Sequence, residues 1–172
     1  ASFKAGYVSR NGSVDQDSFS HSSVSIGQDI VNVGHFSAVL GGMSHTVSSN
    51  FTAVLGGQSH DLMDQGHYSM VVGGDSDTVL ASHVLDVGGL NNRLFSKNSF
   101  LVASQQNVMR DGEFQTVIGN HNLIQGNNIY VLGGDYNIVG SDDRDVYNVI
   151  LMGNASKILT NDLWLVHHSV SP

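Results

Sequence analysis

The chain contains no cysteine, and its single proline is the final residue, Pro172. The first absence excludes disulfides, thiolate catalysis and cysteine-ligated zinc, although it does not fix the redox compartment. The second leaves every internal position able to donate a backbone N–H to a sheet ladder. Helix-favouring residues are also scarce: Glu113 is the only glutamate, and lysine and arginine together number seven. No apolar run reaches the roughly 18 residues that a membrane span needs, and Ala1 to Arg10 carries no apolar block of a secretory signal. Neither membrane insertion nor a leader is expected. A formal net charge of −8 sets the protein's own field against any polyanion, so no nucleic-acid partner is expected.

What remains is valine, serine, asparagine, aspartate and twenty glycines, a composition suited to strands and tight corners. These residues are ordered in a repeat. With Gly42, Gly57, Gly74, Gly89, Ser104, Gly119, Gly134 and Gly153 as anchors, the spacings are 15, 17, 15, 15, 15, 15 and 19. Two residues before the anchors stand Leu40, Leu55, Val72, Val87, Val102, Val117, Leu132 and Leu151. Five after stand Val47, Leu62, Val79, Leu94, Met109, Ile124, Val139 and Ile158. Both columns are apolar without exception. Three after come His45, His60, Asp77, Asn92, Asn107, Asn122, Asn137 and Ser156, all able to hydrogen-bond locally. Such a column is expected to satisfy corner backbone groups.

A strict period of this length predicts a solenoid. Each unit supplies a short strand ending at the anchor glycine, a corner, and a second short strand; the fold class is all-β, a parallel β-solenoid. Alternation places the residues two and four before the anchor on one face, the latter being Ala38, Ala53, Met70, Leu85, Phe100, Gln115, Tyr130 and Val149. The opposite face, three before, is also apolar at Val39, Val54, Val71, Leu101, Val131 and Ile150. A strand apolar on both faces is buried on both. A fifteen-residue rung encloses little by itself, so a homo-oligomer around a central axis is expected. Three segments are expected: residues 1–23 as an N-terminal arm or junction, 24–159 as the repeat domain, and 160–172 as a C-terminal cap containing Trp164.

The successive pieces AVLGGMSHTV, AVLGGQSHDL, MVVGGDSDTV and TVIGNHNLI resemble the YadA-like head repeats of trimeric autotransporter adhesins and related arrays in bacteriophage tail fibres and tailspikes. The resemblance covers about Val24 to Leu159. It implies a left-handed β-roll, a homotrimer, location on a virion or cell surface, and attachment to a host glycan or protein receptor. Two departures exist. Val, Leu or Ile stands where adhesin heads usually carry Ala, and the period is fifteen or more instead of fourteen, which favours the phage side. A bacterial adhesin head, or the non-catalytic stalk of a polysaccharide depolymerase, are the alternatives.

No catalytic residue and no cofactor is expected. Serine, histidine and aspartate are abundant, but no nucleophile elbow organises them, and no pair of carboxylates is placed as a glycosidase requires. Six before the anchor, Phe36, Phe51 and Tyr68 begin an outward column continued by His83 and Asn98. An aromatic face with amide partners suits neutral sugars, and rings packed between chains are the alternative. Candidate metal ligands are His167 and His168, beside the strand-like Leu163 to Val166, and Asp142, Asp143 and Asp145 in an overlong rung.

Overall fold

The computed structural model describes residues 3–7, 22–102, 105–141 and 145–166. The described residues contain strands and no helix. In chain order the first strands are β1 (Phe3–Tyr7), β2 (Val24–Gln28), β3 (Val31–Asn32), β4 (Ala38–Met43), β5 (Thr46–Val47), β6 (Ala53–Leu55) and β7 (Asp61–Leu62). The middle is formed by β8 (Met70–Val72), β9 (Thr78–Val79), β10 (Val84–Val87), β11 (Arg93–Leu94), β12 (Ser99–Val102) and β13 (Val108–Arg110). There follow β14 (Gln115–Asn120), β15 (Leu123–Asp135), β16 (Ile138–Val139), β17 (Val146–Met152), β18 (Lys157–Ile158) and β19 (Leu163–Val166).

All pairings are parallel, and the chain winds as a β-solenoid of about 9 turns. One sheet stacks β1, β2, β4, β6, β8, β10, β12, β14, the second part of β15, β17 and β19. The other stacks β3, β5, β7, β9, β11, β13, the first part of β15, β16 and β18. We call these the long-strand and short-strand sheets. At a rung spacing of about 4.8 Å the coil is a rod on the order of 40 Å long. The ladder runs past the 24–159 range expected of the repeat: β1 pairs with β2 from Phe3↔Val24 to Tyr7↔Gln28, and β19 pairs with β17.

The anchor glycines sit at the first corner with φ from +88° at Gly134 to +151° at Gly153. Most rungs carry a glycine pair there, and the leading glycine (Gly41, Gly56, Gly73 or Gly133) faces open space. Rungs with a single glycine are one residue shorter at the corner, and the register shifts between Ile26 and Gln28 and between Ile118 and Asn120.

That corner decides which face of the long strand turns inward, a choice the doubly apolar pattern leaves open. The core column is Val39, Val54, Val71, Leu101 and Val131, three before the anchor, joined by Val117 and Leu151 from single-glycine rungs. Opposite them stand Val47, Leu62, Val79, Leu94, Met109, Ile124, Val139 and Ile158. The column two before the anchor lies on the outside in the glycine-pair rungs, where Leu40 is 48% exposed. Ile150, expected among the three-before residues, faces outward with Tyr130. Gln115 also leaves its expected column: Thr116 pairs with Phe100, while Gln115 is buried and donates to the carbonyls of Arg110 and Gly126 at 2.9 Å each. An extra residue in the Arg110–Glu113 corner produces this slip.

At the second corner, small residues and hydroxyls close the coil. Ser37 Oγ donates to the Gly34 carbonyl at 2.7 Å, Thr52 Oγ1 to the Ser49 carbonyl at 3.2 Å, and the Ser96 and Ser99 hydroxyls share a bond of 2.6 Å. These side chains relieve backbone or hydroxyl groups that a tight turn would otherwise strand, whereas the buried Ser49 hydroxyl has no partner.

Candidate functional site

Two features of the coil carry chemistry: a polar column inside and an apolar face outside. Inside, the residues three after the anchors are all buried from His45 to Asn137. Asn107 Oδ1 accepts from the backbone N–H of Asn122 at 2.9 Å and from its Nδ2 at 3.0 Å. Asn107 Nδ2 donates to Asn92 Oδ1 at 3.2 Å and to the Gly119 carbonyl at 2.8 Å. Asn122 and Asn137 repeat this pattern. An amide satisfies the site because it offers an acceptor and donors on one short stem.

At the N-terminal end the amides give way to groups that cannot complete the pattern. His45 Nδ1 accepts the backbone N–H of His60 at 3.2 Å, and His60 Nδ1 accepts that of Asp77 at 3.3 Å. The two imidazoles stack in parallel with centroids 5.0 Å apart. Burial, then the charge of His60, lowers the His45 pKa to about 4; burial lowers that of His60. Although His60 Nδ1 lies 3.5 Å from Asp77 Oδ2, that nitrogen is an acceptor and carries no proton, so the contact is not an ion pair. Burial raises the Asp77 pKa to about 6 against the opposing pull of its bonds from Asn92. Burial, then the nearby Asp77, raises that of Asp86 to about 8.

Outside, the long-strand sheet presents two adjacent apolar columns. One runs Ala38, Ala53, Met70, Leu85, Phe100, Thr116, Tyr130, Ile150, Trp164; the other runs Ile26, Leu40, Leu55, Val72, Val87, Val102, Ile118, Leu132, Met152. Thr116 is the single polar residue, and no charge interrupts either column. Leu40, Ile118, Tyr130, Met152 and Trp164 are exposed, Trp164 by 79%. The outer side of the short-strand sheet is mixed: Thr46, Asp61, Thr78, Arg93 and Lys157 face out in one column with Val31, Val108, Leu123 and Ile138, so charges interrupt it.

Beside the apolar face, Phe36, Phe51, Tyr68 and His83 form a ring stack, with centroids 5.1, 5.0 and 5.1 Å apart. Each occupies a left-handed conformation, φ +54° to +59°, which turns the side chain out of the coil. The strain is offset by inter-rung bonds such as Phe51 N–H to the His35 carbonyl at 2.9 Å and His83 N–H to that of His67 at 3.0 Å. Asn98 interrupts the rings before Phe114, leaving an apolar groove of about 690 Å³ bounded by Tyr68, Met70, His83, Leu85, Phe100 and Phe114. Further along, the column becomes Asn128, Asn148 and Asp162, linked by amide to oxygen bonds of 3.1 and 2.7 Å.

A second ring pair, His121 and Tyr136 with centroids 4.5 Å apart, lies at the first corner. Sequence reasoning missed it. The signal was the column two after the anchor, Ser44, Ser59, Ser76, Asn91, Gln106, His121 and Tyr136, all with positive φ. Of the candidate metal ligands, Asp142, Asp143, His167 and His168 lie outside the described residues. Asp145 Oδ1 accepts from Gln125 Nε2 at 3.0 Å. Among the described residues no group of three or more His, Cys, Asp or Glu gathers to hold a metal ion. The chain matches no family model and no curated protein.

Proposed function

We propose that the chain is a structural and receptor-binding segment of a surface fibre, three copies of which associate through the outer face of the long-strand sheet. The observation that carries this reading is the pair of apolar columns from Ile26 to Trp164. An apolar surface of that length exceeds what a monomer usually leaves in water. A second copy is the fitting occupant, because its rungs repeat at the same spacing and it presents the same uncharged columns. The short-strand sheet, whose outer column is broken by Asp61, Arg93 and Lys157, then remains in solvent, and the ring stack flanks the contact as a surface for attachment to a host glycan or protein. The resemblance of the repeats to YadA-like heads supports three copies and a phage tail fibre or tailspike; an adhesin head fits the same geometry.

Sedimentation equilibrium tests the assembly. The expected mass is three times 18.3 kDa, and Leu132→Lys, which sets a charge within the apolar columns, is expected to give a folded single chain. A stable wild-type monomer at micromolar concentration overturns the proposal.

A further inference from the structure

Strand β10 lies midway along the long-strand sheet, with five strands stacked on either side, and it carries the least expected core residue. Asp86 is fully buried in the column that holds Val71 before it and Leu101 after it. Neither of its carboxylate oxygens has a hydrogen-bond partner, and neither does Asp77 Oδ2 or His60 Nε2. Four unpartnered polar atoms of three neighbouring residues therefore lie in one stretch of the core, whereas the asparagine rungs that follow are bonded from rung to rung.

We propose that Asp86 is a buried proton-binding site that locks the middle of the rod: protonated, it is a neutral core side chain, and its ionisation in mildly alkaline solution loosens the rungs around it. The surroundings offer no counter-charge. Its strand neighbours β8 and β12 bring Val71 and Leu101 inward, and the same rungs of the short-strand sheet bring Val79 and Leu94, with Arg93 facing solvent. The titratable groups that reach it are acidic or neutral: Asp77 directly, Asp75 beside Asp77, and beyond them the neutral His60 and His45. None of Arg93, Lys97, Arg110 and Lys157 is buried. The His60 nitrogen facing Asp77 already accepts a backbone bond, so it favours a protonated Asp77 and cannot neutralise a carboxylate.

The direction of the effect follows from linkage. Asp86 is held protonated up to about pH 8, against 3.8 for an ordinary aspartate, so its contribution to stability is full below pH 3.8 and declines until pH 8. Asp77 acts the same way up to about pH 6. The histidines act oppositely: kept neutral by burial, they favour the fold above pH 6.5, and this contribution is lost on acidification, for His45 towards pH 4. Between about pH 4 and 6.5 the two sets oppose each other. Between pH 6.5 and 8, Asp86 acts alone.

The test compares thermal unfolding of the full chain, in whatever assembly it forms, with that of Asp86→Val and Asp86→Asn from pH 6.5 to 8.5. The wild type is expected to lose roughly 5 °C in melting temperature across this range relative to either variant. Asp86→Val extends the existing valine column and Asp86→Asn is uncharged, so one serves if the other does not fold. Carboxyl ¹³C spectra of aspartate-labelled protein give a second readout: one signal, absent in Asp86→Asn, is expected to titrate well above the ordinary aspartate range. Parallel pH profiles in wild type and variant, or an Asp86 signal titrating near pH 4, overturn the proposal.

Discussion

The Nε2 atom of His60 lies in the space that a β-carbon on Gly57 would fill. The same overlap joins Gly42 with His45, and a β-carbon on Gly74 would meet Asp77 Oδ2 at 2.6 Å. The polar side chain three after the anchor thus folds back over the glycine, and the two positions are one steric unit. The glycine is required twice, for its φ of +90° at Gly57 and for the room it leaves.

Replacing Gly57 by alanine is therefore expected to lower stability by about 2 to 4 kcal/mol per chain. Gly56→Ala is the control, because that position has φ +75° but meets nothing within 4 Å, and its loss is expected to stay near 1 kcal/mol. Denaturant melts of both variants decide the matter, and equal losses would show that conformation alone explains the anchors.

Asn107 is the most fully bonded member of the internal column. Asn107→Ala strands the backbone N–H of Asn122 and the carbonyl of Gly119, and is expected to cost about 2 to 4 kcal/mol per chain. Asn107→Asp keeps the acceptor but loses the donor to Gly119 and buries a charge, so its loss is expected to grow as the pH rises. A melt of Asn107→Asp that does not change between pH 5 and 8 would mean the column opens to water.

Phe51→Ser with Tyr68→Ser removes all three contacts of the Phe36 to His83 stack. At about 0.5 to 1.5 kcal/mol per pair, the melting temperature is expected to fall by several degrees. The sedimenting mass is expected to remain that of the wild type, since the rings flank the apolar face. A fall to the single-chain mass would place the rings inside the contact instead of at an attachment surface.

The repeat, the all-β parallel solenoid and the glycine corner were legible in the sequence because a period of fifteen residues leaves the same residue type at the same place in every rung. The anchor glycines and the polar column showed themselves for this reason. The inward face of the long strand did not. Both faces are apolar, so side-chain pattern alone cannot choose between Val39 and Leu40; the choice is made by whether one glycine or two turn the corner. Asp86 was passed over in the same way, as one acidic residue in an otherwise apolar column, and only its burial between Val71 and Leu101 gives it a role. The sequence by itself determined that this chain coils, because periodicity is a local property of the residues. Tertiary structure decided what the coil encloses and what it leaves open, because one residue more or fewer at a corner moves the inward face of the long strand by one position.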